Sequence, residues 1–139
     1  MKLKILIADD DPIIRLDLRH MLQNLGYDVV GEAGDGDEAI GLARKLKPDV
    51  CVLDVKMPNR DGISAVQEIV RDNISACILL TAYSDKELVE KAGTAGVYAY
   101  LVKPFKPTDL PPAIEVAFAR FKESQMKKSS FENDSTNPE

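Results

Sequence analysis

The sequence feature that most constrains the fold is a short apolar run that ends at an acid. Val50 to Leu53 are consecutive apolar residues, and Asp54 follows them directly, before a loop that contains Pro, Asn, Asp and Gly. An uninterrupted apolar run of this length between turn residues is typical of a strand that is buried on both faces. Open α/β sheets bind ligands at the carboxyl ends of their strands, so Asp54 is either a chemical group at such an end or a cap for the loop.

Composition and charge restrict the classes of function. The 139 residues are 45% hydrophobic and 29% charged, which is typical of one globular domain. The net charge of −5 argues against direct binding of nucleic acid, because a phosphate backbone requires a basic surface. No apolar run is long enough to span a membrane and the N-terminal run is too short for a signal peptide, so we expect a cytoplasmic protein.

Strand-like and helical segments alternate along the chain. The apolar residues between the strands recur with helical spacing, and Gly26, Lys47-Pro48 and Gly96 mark helix ends. Cys51 and Cys77 lie in two of the apolar strands, which favours buried free thiols over a disulfide or a metal pair. The predicted strands are 3–8, 27–31, 50–54, 76–82 and 97–102, and the predicted helices are 12–25, 39–46, 62–71, 85–95 and 108 to about 127.

This alternation predicts the arrangement of the sheet. Because no two strands are joined by a hairpin, the strands should be parallel and covered by helices on both faces. An α/β barrel would require eight such units and many more residues. The predicted fold is therefore α/β: a doubly wound, flavodoxin-like sheet of five strands in the order 2-1-3-4-5, with five helices. We assign 1–128 to this domain and expect 129–139, which is polar and lacks periodicity, to be a disordered tail.

Polar side chains of complementary chemistry stand where four of the predicted strands end. In a parallel sheet these ends meet at one edge. In the strand order 2-1-3-4-5, strands 1 and 3 flank the crevice where such sheets bind ligands. The alternative, that these residues only solvate the sheet edge, is disfavoured because four strand ends would have to match by coincidence. The residues are Asp9, Asp10 and Asp11 after strand 1, Asp54 after strand 3, Thr81 on strand 4 and Lys103 after strand 5.

Such a set of side chains suits a metal and a phosphoryl group. Clustered carboxylates repel one another and require a cation, and oxygen ligands without His or Cys select a hard ion such as Mg²⁺. A hydroxyl and an ammonium group are suitable donors to phosphoryl oxygens. A carboxylate beside the metal can act as a nucleophile and form an aspartyl phosphate.

The motifs that carry these residues resemble the receiver domain of two-component response regulators. They are ILIADDD, VLDVKMP with Asp61-Gly62 after it, LLTAY and YLVKPF, in that order, and the resemblance extends from Lys2 to about Lys122. It implies a phosphoacceptor signalling switch that is not an enzyme. Asp54 would receive a phosphoryl group from a histidine kinase or a phosphotransfer protein in an Mg²⁺-dependent reaction.

The resemblance also assigns the metal ligands. It implies Mg²⁺ bound by the side chains of Asp10 and Asp54 and by the backbone carbonyl of Lys56. Asp9 would act mainly through water.

The remaining roles implied by the resemblance concern the response to phosphorylation. Thr81 and Lys103 would bind the phosphoryl oxygens, and Tyr100 would move with Thr81 in the switch. Lys103-Pro104 matches the cis peptide of the family, which is chemically reasonable because X-Pro bonds tolerate cis at low cost.

The output of the switch stays open at this stage. The face formed by the predicted helix 85–95, the fifth strand and the last helix is expected to contact a second copy of the chain or an output domain. The sequence also resembles receivers joined to RNA-binding antitermination domains, and the chain is either a stand-alone receiver or a part of a longer protein.

An enzyme of a related fold is the alternative. Mg²⁺-dependent phosphatases also form an aspartyl phosphate on such a sheet, but they typically carry a second acid two residues after the nucleophile. Lys56 occupies that position here.

Overall fold

The computed structural model describes residues 2–82, 90 and 98–136, and the side chains up to residue 127. Its five strands form one parallel sheet in the order β2-β1-β3-β4-β5, which confirms the predicted fold. The strands are β1 (Lys4–Ala8), β2 (Asp28–Ala33), β3 (Val50–Asp54), β4 (Ala76–Ala82) and β5 (Ala99–Lys103). The helices are α1 (Pro12–Asn24), α2 (Gly36–Leu46), α3 (Gly62–Arg71) and the C-terminal helix (Leu110–Thr136), which a 3₁₀ turn (Pro107–Asp109) precedes.

Aspartates start three of the helices. Asp11, Asp35 and Asp61 each occupy the N-cap, and each carboxylate accepts a hydrogen bond from a backbone N–H of the first turn. Pro12 follows Asp11 at the first helical position, where the missing N–H costs nothing. The short connections that these caps create keep each helix close to the strand before it.

The sheet separates two apolar cores. Side chains of β1, β3 and β4 alternate between them, and the strand residues from Val50 to Leu53 are fully buried, as the apolar run predicts. One core packs under α2 and α3, and the other packs under α1 and the C-terminal helix. Cys51 and Cys77 are buried and free, as predicted.

The structure corrects some predicted boundaries. β2 runs to Ala33 rather than ending at Gly31, because its pairing with β1 continues to Ala33, which lies opposite Ala8. The C-terminal helix starts at Leu110, after the 3₁₀ turn, and its backbone continues to Thr136 rather than ending near Lys127. The sequence explains this length: Pro111 and Pro112 lie in the first turn, where proline is tolerated, and neither Gly nor Pro follows before Thr136. The disorder predicted for 129–139 stays a prediction.

One predicted element cannot be compared. Within the predicted helix 85–95 the structure describes only Glu90, which is helical, and the other residues of this segment lie outside the described part of the chain. Within the described part of the chain, none of the helices combines the length and the hydrophobicity that a membrane span requires.

Candidate functional site

Three carboxylates converge at the carboxyl edge of the sheet. β1 and β3 are neighbours, with Ala8 opposite Leu53, so Asp9 and Asp54 leave adjacent strands at the same level. Together with Asp10 they offer one oxygen each, and these oxygens all lie within 4.8 Å of one another. Asp9 is buried, Asp54 is half-buried and Asp10 is exposed. We call these three residues the acid cluster.

Asp9 is the member of the cluster that is most withdrawn from water. Its Oδ1 accepts a hydrogen bond from the Asp11 N–H at 2.9 Å, whereas its Oδ2 has no hydrogen-bond partner among the described residues. Burial raises the pKa of the Asp9 carboxyl; the bond from Asp11 opposes this effect and the charge of Asp54 adds to it. A buried carboxylate with a free lone pair is a suitable acceptor for a cation.

Lys103 supplies a positive charge to the cluster. It is the last residue of β5, and its Nζ lies 2.8 Å from Asp54 Oδ1 and 3.7 Å from Asp9 Oδ2. Burial, the strongest single influence, favours the neutral amine. The hydrogen bond and charge of Asp54, with the charge of Asp9, outweigh it and raise the pKa of Lys103. The Lys103–Pro104 peptide bond is cis, as predicted.

Thr81 lies on β4, between the strands that carry Asp54 and Lys103. The register places Leu80 opposite Asp54 and Ala82 opposite Lys103. Thr81 therefore lies one residue from the strand partner of each charged group. Its side chain is fully buried, and its Oγ1 has no hydrogen-bond partner in the part of the chain that the structure describes. A buried hydroxyl of this kind is available to donate to a new acceptor.

The loop after β3 folds back against the end of β3. Gly62 donates its N–H to the Val55 carbonyl at 2.8 Å, and a Cβ at this position would collide with the backbone carbonyl of Asp54. This close approach explains why glycine follows Asp61, at a point where sequence analysis recognised only a motif. Lys56 lies exposed on this loop, and the ligand role of its carbonyl stays a prediction.

Tyr100 is placed differently from the other predicted site residues. It lies on the edge strand β5 opposite Leu79 and is 45% exposed. Its predicted movement with Thr81 stays a prediction.

Arg15 makes a contact with the acid cluster that the sequence does not predict. Arg15 Nη1 donates a hydrogen bond to the backbone carbonyl of Asp9 at 2.6 Å. A lone arginine in the first turns of a helix carries no sequence signal for such a contact, because the contact depends on how α1 packs beside the end of β1.

Known proteins share this fold and sequence pattern. The chain matches the family model described as the response regulator receiver domain over residues 5–115. It is 55% identical over 120 residues to the transcriptional regulatory protein PdtaR of Mycobacterium tuberculosis. This alignment covers 86% of the present chain and 58% of PdtaR. It is 36% identical over 112 residues to the chemotaxis protein CheY of Thermotoga maritima, which covers 80% of this chain and 93% of CheY.

A solved structure agrees with these relatives. The signal receiver domain of a modulated diguanylate cyclase from Desulfovibrio desulfuricans G20 aligns with a TM-score of 0.82 at 29% identity. The alignment covers 89% of this chain and 99% of that domain. The present chain therefore corresponds to a whole domain of that kind, while it spans less than two thirds of the length of PdtaR.

Proposed function

The chain belongs to the response regulator receiver domain family, and from this membership we propose that its phosphoacceptor is Asp54. The observation that carries the proposal is the contact of Asp54 with Lys103, at 2.8 Å, beside two further acids and the buried Thr81 hydroxyl, which has no hydrogen-bond partner among the described residues. Receiver domains act as switches in two-component signalling, so the expected donor is a histidine kinase or a phosphotransfer protein. The predicted cytoplasmic location stays a prediction.

The transfer requires little from the protein beyond position and charge. The P–N bond of a phosphohistidine breaks, an oxygen of the Asp54 carboxylate bonds to phosphorus, and the imidazole of the donor leaves. Asp54 keeps a free approach because it is only half-buried at the edge of the sheet. Lys103 lies where it can neutralise charge on the incoming phosphoryl oxygens.

The acid cluster fits Mg²⁺. All its donors are carboxylate oxygens, and the buried Oδ2 of Asp9 has no hydrogen-bond partner among the described residues. Asp10, Asp54 and the Lys56 carbonyl would hold the ion, with Asp9 acting mainly through water. Bound Mg²⁺ supplies positive charge to the phosphoryl oxygens during transfer.

Thr81 and Lys103 would respond to the new phosphoryl group. The Thr81 hydroxyl has a proton to donate, and Lys103 would exchange its contact with the Asp54 carboxylate for one with a phosphoryl oxygen. Thr81 lies in the ladder with Val102, so a shift of Thr81 reaches the edge strand. A small movement of this kind signals only if it biases a surface with two arrangements.

The proposed signalling surface includes β5 and the C-terminal helix. Tyr100 and Val102 on β5 are 45% and 46% exposed, and Val116 on the C-terminal helix is 42% exposed. Exposed apolar residues are typical of contact surfaces. We propose that this face contacts a second copy of the chain or an output domain. The predicted helix 85–95, which would complete the face, lies outside the described residues except for Glu90.

The names of relatives suggest what kind of output the switch controls. PdtaR is named a transcriptional regulatory protein, and this chain covers 58% of it. We therefore propose that the receiver domain controls an output domain that acts in transcription, including antitermination on RNA.

The phosphatase alternative receives no support. An aspartyl phosphate enzyme of that type typically carries an acid two residues beyond the nucleophile, and Lys56 stands there. A switch should be phosphorylated about once per molecule, whereas an enzyme should turn over many times.

The experiment is to incubate the chain with a small phosphodonor and Mg²⁺ and to map the modified residue by mass spectrometry. We expect one phosphoryl group on Asp54 and none on Asp54→Asn. Asp28→Asn serves as the matched control, because Asp28 is an exposed acid at the far end of β2. Equal labelling of Asp54→Asn, or labelling of Asp9–Asp11 in the wild type, would refute the assignment.

A further inference from the structure

Arg15 reaches from α1 back to the end of β1, where the acid cluster begins. Its Nη1 donates to the carbonyl of Asp9, and this carbonyl belongs to the peptide unit that joins Asp9 to Asp10. The hydrogen bond therefore fixes the orientation of the peptide plane between Asp9 and Asp10, which are both members of the acid cluster. We infer that Arg15 is a positioning residue for the Mg²⁺ site, an inference that rests on the proposed function.

Arg15 is itself held from a second strand. Its Nε lies 3.3 Å from Glu32 Oε1, an ion pair in which this Nε makes no hydrogen bond among the described residues. Arg19 Nη2 pairs with the other oxygen of the same carboxylate. Glu32 stands on β2 opposite Ile7 of β1, close to the strand end that carries Asp9. The side chains of Arg15 and Glu32 are 22% and 24% exposed, so this pair is partly shielded from water. The planar guanidinium can serve both partners at once, which an ammonium group does less well.

The other hydrogen bonds of Asp9 among the described residues do not involve the peptide unit that joins it to Asp10. The Asp9 N–H donates to the Ala33 carbonyl at 3.0 Å, and the Asp9 carboxylate accepts from the Asp11 N–H. These contacts fix the backbone on the N-terminal side of Asp9 and the side chain itself. The carbonyl contact from Arg15 acts on the C-terminal side, where the chain turns towards Asp10.

Charge and geometry predict opposite effects of removing Arg15. A cation near the carboxylates repels Mg²⁺, so loss of the charge alone would tighten the binding of Mg²⁺. Loss of the hydrogen bond would instead weaken binding, because Asp10 would no longer be directed to the ion. Removal of a partner that orients a metal ligand typically weakens metal affinity by about 10-fold to 100-fold.

The test is a calorimetric titration of the full chain with MgCl₂. We expect Arg15→Met to bind Mg²⁺ about tenfold more weakly than the wild type. Arg19→Met is the matched control, because it removes a guanidinium that pairs with the same Glu32, whereas among the described residues the hydrogen bond to the Asp9 carbonyl comes from Arg15. Arg15→Lys keeps the charge and one donor, and it should recover part of the affinity.

A second measurement requires no metal. In the metal-free protein, the backbone amide NMR signals of Asp10 and Asp11 should shift in Arg15→Met and stay in place in Arg19→Met. A purely structural effect of losing an ion pair with Glu32 would move both variants alike.

The outcomes separate this inference from the proposed function. Binding of Mg²⁺ by Arg15→Met that equals or exceeds that of the wild type refutes the role of Arg15, as does an equal loss in Arg19→Met. A wild-type chain that binds no Mg²⁺ refutes the metal site of the proposed function, and the role of Arg15 falls with it.

Discussion

The acid cluster and the flank formed by α2 and α3 both concentrate charged side chains, but they satisfy them differently. On the flank, Arg44 Nη2 contacts Glu68 at 2.8 Å and Asp72 at 2.6 Å. Arg60 joins the same group by contacts of 2.8 Å to Asp37 and 2.9 Å to Glu68. Each of these five residues has an opposite charge beside it, and all of them reach solvent. We call this group the flank network.

At the carboxyl edge of the sheet the balance is reversed. Asp9 and Thr81 are buried, and each has a polar atom without a hydrogen-bond partner among the described residues. Lys103 is shared between Asp54 and Asp9, so one cation faces two acids. Burial of polar groups that lack partners costs free energy.

The difference teaches that the number of ion pairs does not measure their importance. Exposed pairs contribute little to the free energy of unfolding, because water and salt screen them. The incomplete pairing at the acid cluster leaves acceptors for a cation and a donor for a phosphoryl group. The fold thus gives up some stability at the site where it needs ligands.

The largest effect on stability should come from removing Lys103, the only cation that the described residues place between two acids of the cluster. In metal-free buffer at pH 7, Lys103→Met should lower the free energy of unfolding by about 2 kcal/mol, because two carboxylates then face each other unpaired. Urea unfolding measures this change. Mg²⁺ should stabilise the variant more than it stabilises the wild type, since the ion no longer competes with the ammonium group.

Lys45→Met is the control for Lys103→Met. Lys45 is exposed on α2, so its removal should change stability by less than about 0.5 kcal/mol. Equal effects of the two substitutions would show that the acid cluster does not depend on Lys103.

The next effect has the opposite sign. Thr81→Val replaces a buried hydroxyl, which has no hydrogen-bond partner in the described part of the chain, by a methyl group of similar size, and it should raise the free energy of unfolding by about 1–2 kcal/mol. Denaturant unfolding of the metal-free protein checks this. Thr108→Val, at an exposed position of the 3₁₀ turn, should be close to neutral. A destabilised Thr81→Val would mean that the hydroxyl has a stabilising partner.

The third effect depends on pH. The pKa of Asp9 in the folded protein lies above 3.8, so the stability contributed by this group is fully present below about pH 3.8. That stability is lost as the pH rises through the folded pKa. Asp9→Asn removes this loss, and it should be more stable than the wild type by about 1 kcal/mol at pH 7 without metal.

The difference between Asp9→Asn and the wild type should shrink as the pH falls towards 4. Unfolding curves measured at several pH values in a chelating buffer give this profile, and Asp28→Asn supplies the profile of an exposed acid. A difference that does not vary with pH would rule out titration of Asp9 as the cause.

Sequence alone predicted the parts of the molecule that depend on local patterns. The apolar runs fix β3 and β4, and in a parallel sheet their ends bring Asp54, Thr81 and Lys103 together whatever the details of packing. The pattern did not predict the full length of β2, because its last residues become a strand only through pairing with β1.

Contacts between separate elements were beyond the sequence. The partners of Arg44 and of Arg15 depend on how α2 faces α3 and on how α1 lies against β1. An arginine on an exposed helix face looks the same in sequence whether it binds a neighbouring carboxylate, a carbonyl or water. The flank network was therefore unforeseen, although it contains more ion pairs than the acid cluster does in the described residues.

The smallest effect should come from the flank network, and it tests the comparison most directly. Hydrogen bonds from Arg71 and Arg44 lower the pKa of Asp72 to about 2, so the stability from this group is present above pH 3.8 and is lost as the pH falls towards 2. At pH 7, Arg44→Met should shift the thermal midpoint by less than about 3 °C, and added salt should reduce the shift further. Thermal melts at low and high salt, and again between pH 4 and pH 2.5, measure both dependences. Because the carboxylates that Arg44 leaves behind remain hydrated, their loss of a partner should cost less than the loss of Lys103 costs the buried acids. A larger loss for Arg44→Met than for Lys103→Met would reverse the ranking of the two regions and show that pairing, rather than burial, decides what a charge contributes in this fold.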